Sequence, residues 1–193
     1  MEQNAGGLEN QIEILRKSPN KIRIETIQKN GIDVMVGFNG TAGWGRLEDH
    51  KKVHHTGQEV KGSIDWLRLQ ANFENHLLRA LKNDKTVQVA RLPDYRIPDS
   101  DLVFRVVEAK DGSGIRFTYY LNTTTDGLDR IKVETKNDPP IELRYAHQRR
   151  VEGFLLPHRV EFYQDGDLLS FENYRRITVN KFLNNFLFER PGY

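Results

Sequence analysis

Residues 37–46 read GFNGTAGWGR, four glycines (Gly37, Gly40, Gly43 and Gly45) set around one tryptophan, Trp44. A phosphate-cradling loop needs its glycines to run into a lysine and a hydroxyl residue at a helix N-terminus, where backbone amides gather the anion. Here the run leads into Trp44, Gly45 and Arg46, and it follows the segment IDVMVGF (32–38), in which Ile32, Val34, Val36 and Phe38 alternate with other residues. That alternation marks a half-buried strand, so Asn39-Gly40 reads as a tight turn into a second strand that begins at Trp44. The indole is then a structural hairpin anchor, burying a large apolar ring.

The same period of two extends in both directions. KIRIE (21–25) places Ile22 and Ile24 on one side and Lys21, Arg23 and Glu25 on the other. Further strands are expected at QIEILR (11–16), VQVARL (87–92), LVFRVVEA (102–109), IRFTYYL (115–121) and DRIKVET (129–135). IELRYA (141–146), HRVEFY (158–163), DLLSFENY (167–174) and RITVN (176–180) continue the series. Asn30-Gly31, Asp111-Gly112, Asp126-Gly127 and Asp165-Gly166 supply hairpin turns, which force consecutive strands to run antiparallel. The proline-containing stretches 93–98 and 139–140 read as loops.

One segment departs from this rhythm. In SIDWLRLQANFENHLLRALKN (63–83) the apolar spacing switches to threes and fours behind a capping Ser63, the pattern of a helix or of two short ones. Roughly ten strands with one apolar side each present more surface than a single helical segment covers, so the sheet must curl or fold over. A curved, partly closed sheet satisfies this, as does a β-sandwich. The wide apolar face of 63–83, with Trp66, Phe73, Leu77 and Leu81 on it, suits a plug and favours the first arrangement. The expected class is therefore α+β: one strongly curved antiparallel sheet forming an unclosed half β-barrel under a helical lid, in a single domain over residues 1–193.

Composition narrows the chemistry. Lys+Arg of 29 against Asp+Glu of 27 leaves a net charge of +2, too even a balance to suggest nucleic acid. The 193 residues include no cysteine, which excludes disulfides and thiolate metal sites. No run approaches the ~20 apolar residues of a membrane-spanning helix. DHKKVHH (49–55) offers Asp49, His54 and His55, but adjacent side chains on an extended segment point apart and the lysines repel a cation, so no metal is expected. Ser113 lies in a turn, DGSG, rather than in a nucleophile elbow, and Asp99 and Asp101 read as loop carboxylates. Asn39-Gly-Thr41 and Asn122-Thr-Thr124 match glycosylation sequons, a short pattern that arises often by chance. No enzyme and no cofactor are expected.

Taken in order, PNKIRIE (19–25), FNGTAGW (38–44), RRVEGFLLPHRVEFYQDG (149–166) and ITVNKFLNNFLFERP (177–191) resemble the outer-membrane lipoprotein-sorting family typified by LolA. The resemblance spans about 19–191 and resides in the ordered set, closer to the broad branch of the family than to LolA itself. Asn39 stands where the family has aspartate, and GRLED (45–49) lacks the Asp-Pro that often follows the tryptophan. The resemblance implies an unclosed barrel whose apolar hollow shelters a lipidic or lipoprotein acyl group, in a periplasmic or cell-envelope monomer whose leader has been removed. It also implies a latch role for Arg23, matching the family's strand arginine that hydrogen-bonds the lid, and shape roles for Trp44, Gly153, Pro157 and Pro191.

The expected cavity wall is Ile24, Val34, Val36, Phe38, Phe104, Phe117 and Tyr119, with Trp66, Phe73, Leu77 and Leu81 from the lid. Envelope proteins are the expected macromolecular partners. The alternative is a protein-interaction or sensor module on the same fold, with a filled interior.

Overall fold

The computed structural model describes residues 11–18, 20–27, 32–49, 52–54, 70–71, 85–112, 114–136, 138–179 and 182–190. They fall into two compact units, residues 1–75 with 182–193 and residues 76–181.

The first unit is a five-stranded antiparallel meander: β1 (Gln11–Lys17), β2 (Lys21–Ile27), β3 (Ile32–Phe38), β4 (Gly43–Asp49) and β5 (Lys52–His54). Its register aligns the apolar alternations across strands. Ile14 faces Ile24, Ile24 faces Val36, and Ile22 faces Phe38, so one side of the sheet gathers aliphatic residues while Lys17, Lys21, Arg23 and Glu25 share the other. On the apolar side Ile22, Phe38 and Ala71 form a buried cluster, with Ile14, Ile24 and Val36 packed against it. The loop between β3 and β4 is closed by Asn39, whose N–H donates to the Ala42 carbonyl (3.1 Å) and whose Oδ1 accepts from the Thr41 and Ala42 amides. Gly40 supplies the positive φ, 101°, that this turn demands.

The second unit holds a seven-stranded sheet. β6 (Val87–Arg96), β7 (Val103–Asp111), β8 (Arg116–Asn122), β9 (Leu128–Glu134) and β10 (Ile141–Ala146) pair in sequence. The chain then detours through a separate hairpin, β11 (Arg149–Val151) with β12 (Phe154–Leu156), before β13 (Arg159–Gln164) returns to β10 and β14 (Asp167–Asn173) forms the edge. Asp165-Gly166 makes the expected two-residue turn, with φ of 52° and 92°. Glu152-Gly153 does the same between β11 and β12, with φ of 49° and 89°. Asn122 organises the β8–β9 loop: its Oδ1 accepts from the Thr124 and Thr125 amides, and its Nδ2 donates to Asp129.

The expected fold class needs correction. The regular structure of the described residues is almost wholly antiparallel strand and divides among three sheets; none closes into a barrel, and no helical lid stands among the described residues. Counting apolar faces shows that strands need cover but leaves open which strands hydrogen-bond to which, and the long connection from β5 to β6 ends one meander before the next begins. Of 63–83 only Gln70 and Ala71 are described, both helical and both buried. Trp66, Phe73, Leu77 and Leu81 lie outside the described residues, as do the Asn30-Gly31 turn and Ser113.

Two smaller expectations also change. β6 runs through Pro93 instead of ending before it, with a register shift between Leu92 and Tyr95 that accommodates the missing N–H on an edge strand. Residues 176–179 form no strand.

Candidate functional site

Four of the expected wall residues, Ile24, Val34, Val36 and Phe38, lie on the single apolar side of the first sheet. Phe38 is buried, whereas Ile24, Val34 and Val36 are half-buried, leaving aliphatic surface beside the Ile22–Phe38–Ala71 cluster. Ile14 extends this surface from β1, and it was missed because a strand's face is set by its register with a neighbour. Arg16 stands on the same side and donates from Nη1 to the Gln70 carbonyl at 2.9 Å, tying the helical residues to β1.

Phe117 and Tyr119 lie on one side of the second sheet, both fully buried and with ring centroids 6.4 Å apart. They belong to a packed row with Ala109, Ile131, Val133, Leu143 and Phe162. Phe104 takes the opposite side. It pairs with Asn122 in register, two positions from the Val106–Tyr120 pair, and packs with Tyr95 and Tyr120.

That opposite side is otherwise a belt of charge. Arg116 lies between Glu108 and Glu134, Arg130 reaches Glu142 at 3.5 Å, Arg144 holds Glu142 at 2.6 Å, and Arg159 holds Glu161 at 2.6 Å. Arg144 covers the Tyr163 ring at 3.9 Å and Arg159 the Phe171 ring at 4.1 Å. The hydrogen bond from Arg159 pulls the Glu161 carboxyl below its ordinary range against the opposing effect of burial, and the Tyr163 hydroxyl assists. Burial, followed by that same bond to Glu161, pushes the Tyr163 hydroxyl up. Paired this way, the carboxylates of the belt neutralise its arginines.

The polar side of the first sheet resolves the question posed by the glycine-rich loop. Gly37 stands opposite Trp44 in the β3–β4 register, and a Cβ on it would strike Cζ2 and Cε2 of the indole and come within 2.9 Å of Nε1. The bare glycine is the seat of the ring. From that seat the indole, buried to 6% exposure, donates Nε1–H to the Phe188 carbonyl at 2.8 Å. Residues 182–190 thus cross this side of the sheet as a strap containing a short 3-10 helix (Asn185–Phe188) capped by Asn184.

Other side chains bind the strap as well. Lys17 donates to the Leu183 carbonyl (2.8 Å) and to Asn185 Oδ1 (2.9 Å), and Asn39 Nδ2 donates to Glu189 (2.8 Å). Arg23 pairs with Glu25 at 2.7 Å and reaches the Leu187 carbonyl at 3.4 Å. Its Nε is buried with no hydrogen-bond partner among the described residues.

Other sequence candidates are dispersed. His54 lies in β5, His147 in a turn with φ of 52°, and His158 Nδ1 is 2.9 Å from the Tyr174 carbonyl; His50, His55 and His76 lie outside the described residues. Among the described residues no group of three or more His, Cys, Asp or Glu could hold a metal ion. Asp99 and Asp101 are solvent-exposed in the β6–β7 turn. No described helix is long and apolar enough to cross a membrane.

No family model matches the sequence, and no curated protein matches it significantly. A crystal structure does: that of a LolA superfamily protein from Nitrosomonas europaea, with a TM-score of 0.58 over 94% of this chain and 81% of that one. The fold is LolA-like. Identity between the two chains is 12%, so the likeness is one of architecture.

Proposed function

We propose that the protein is a non-enzymatic carrier or binder of a lipidic or lipoprotein acyl group, working in the periplasm or cell envelope. The observation that carries this reading is the apolar side of the first sheet, where Ile24, Val34 and Val36 stay half-buried around a closed Ile22–Phe38–Ala71 cluster. The LolA-like fold supports it, since a neighbour of known structure is a LolA superfamily protein and the sequence resembles the lipoprotein-sorting family typified by LolA. Capture would draw on burial of methylenes, about 0.8 kcal/mol each, so two added methylenes tighten binding by roughly tenfold.

Native mass spectrometry of the delipidated protein mixed with fatty acids and lipopeptides of graded chain length tests this. An adduct whose affinity climbs with chain length, and which Val36→Asn weakens, supports the carrier. Absence of any adduct, together with no thermal shift, rejects it. A second reading, a protein-interaction or sensor module with a filled interior, draws on Phe117 and Tyr119, which are fully buried in a packed row.

A further inference from the structure

The strap bears two aromatic rings that its own anchoring does not use. Phe188 is fully buried and Leu183 and Leu187 are half-buried against the sheet, yet Phe182 is 88% exposed and Phe186 is 82% exposed. Hydrogen bonds from Trp44, Lys17 and Arg23 to three successive points along the strap hold its backbone in place. The rings' cost in water is unrelieved, while Phe188 and the two leucines already supply the inward apolar contacts.

The surroundings of the rings are cationic. The Lys17 ammonium sits 5.9 Å from the Phe182 centroid, and both Lys17 and Lys21 converge on Asn185 between the two phenylalanines. The nearby carboxylate, Glu189, accepts from Asn39 and stands 3.9 Å from Lys21. Lysine is depleted from the cores of protein–protein interfaces, whereas exposed aromatics beside lysines match a bilayer surface, with rings entering the headgroup boundary and ammoniums meeting anionic lipids. We propose that Phe182 and Phe186, flanked by Lys17 and Lys21, form a docking site for an anionic lipid bilayer. The site is separate from the aliphatic side of the sheet and does not depend on the protein carrying a lipid.

Co-flotation of the full chain with phosphatidylcholine vesicles, with and without about a third phosphatidylglycerol, tests the proposal. The protein should float with the anionic vesicles, at least about fivefold less with neutral ones, and release as salt is raised. F182S/F186S should bind at least about tenfold more weakly while keeping the wild-type denaturation midpoint, because both rings are solvent-facing. In an F186W variant, indole emission should shift to the blue on anionic vesicles. Wild-type protein that ignores these vesicles, F182S/F186S that floats as well as wild type, or an F186W emission that does not move would each overturn the proposal. So would a concentration-dependent dimer that F182S/F186S dissolves without any vesicle binding, since the rings would then serve a second copy of the chain.

Discussion

Replacing Trp44 by phenylalanine tests the strap and the hairpin together. The change keeps an aromatic ring but deletes the Nε1–H that reaches the Phe188 carbonyl at 2.8 Å, leaving an acceptor in a place where Phe188 is fully buried. An unmet buried carbonyl costs about 1–3 kcal/mol, and the lost half of the indole adds a cavity contribution, so W44F should lose about 2–4 kcal/mol by urea denaturation. A second substitution sharpens the test. Gly37→Ala places a methyl against Cζ2, Cε2 and Nε1 of the indole, on the outer part of a double ring that the smaller phenylalanine ring fills less fully. Alone, Gly37→Ala should cost about 1–3 kcal/mol through overpacking; in the W44F background most of that cost should vanish. Hydrogen exchange of the Leu187 and Glu189 amides, which bond to the Asn184 and Phe186 carbonyls, should accelerate in W44F. A W44F loss below about 0.5 kcal/mol, or additive costs in the double variant, would refute the assignment of Gly37 and Trp44 as seat and strap anchor.

Further outcomes follow from the same contacts. Arg23→Ala should free residues 182–190 to limited proteolysis at a cost of about 1 kcal/mol, and a cleavage pattern identical to wild type would remove Arg23 from the strap's support. The Glu161 carboxyl, held low by Arg159, adds stability above its unfolded-state pKa and loses that increment as the pH falls through the folded value. Glu161→Gln should therefore be less stable than wild type near pH 7 and converge with it as the pH falls through the folded value; parallel pH profiles would disprove the pairing. Phe117→Ala should cost about 3–5 kcal/mol and Phe154→Ala, on a ring 52% exposed, under about 0.5, a contrast read by denaturation midpoints. Asn122→Ala should lose about 1–3 kcal/mol with its three loop hydrogen bonds, and expression with glycosylation machinery should leave this buried asparagine unmodified.

Strand positions were legible because period-two alternation reports directly on which residues face a core. QIEILR, KIRIE, IDVMVGF and IELRYA differ from the observed strands by two residues or fewer at either end. Their grouping into sheets was not, since hydrogen-bond continuity across a long connection has no local signature. Phe104 illustrates a different limit. Val103, Phe104, Val106 and Val107 put apolar residues on both parities of one strand, so only the pairing with β8 shows that Phe104 faces away from Phe117 and Tyr119. Pro93 was misread because an edge bulge tolerates proline, and the Glu152-Gly153 hairpin had no turn signal because a glutamate took the φ normally left to Asn or Asp. The indole was expected to anchor the hairpin, but the carbonyl it grips lies 144 residues downstream, beyond the reach of any motif.

That span has a bearing on biosynthesis. A ribosome emits β1–β4 well before the strap, at roughly 5–20 residues per second, so for some seconds the indole of a nascent chain has no Phe188 to bond. Closure over such a distance is entropically slow, and the polar side of the first sheet is sealed only after Phe188 has been made. During that interval the unsealed meander is the part of the polypeptide for which a chaperone would compete.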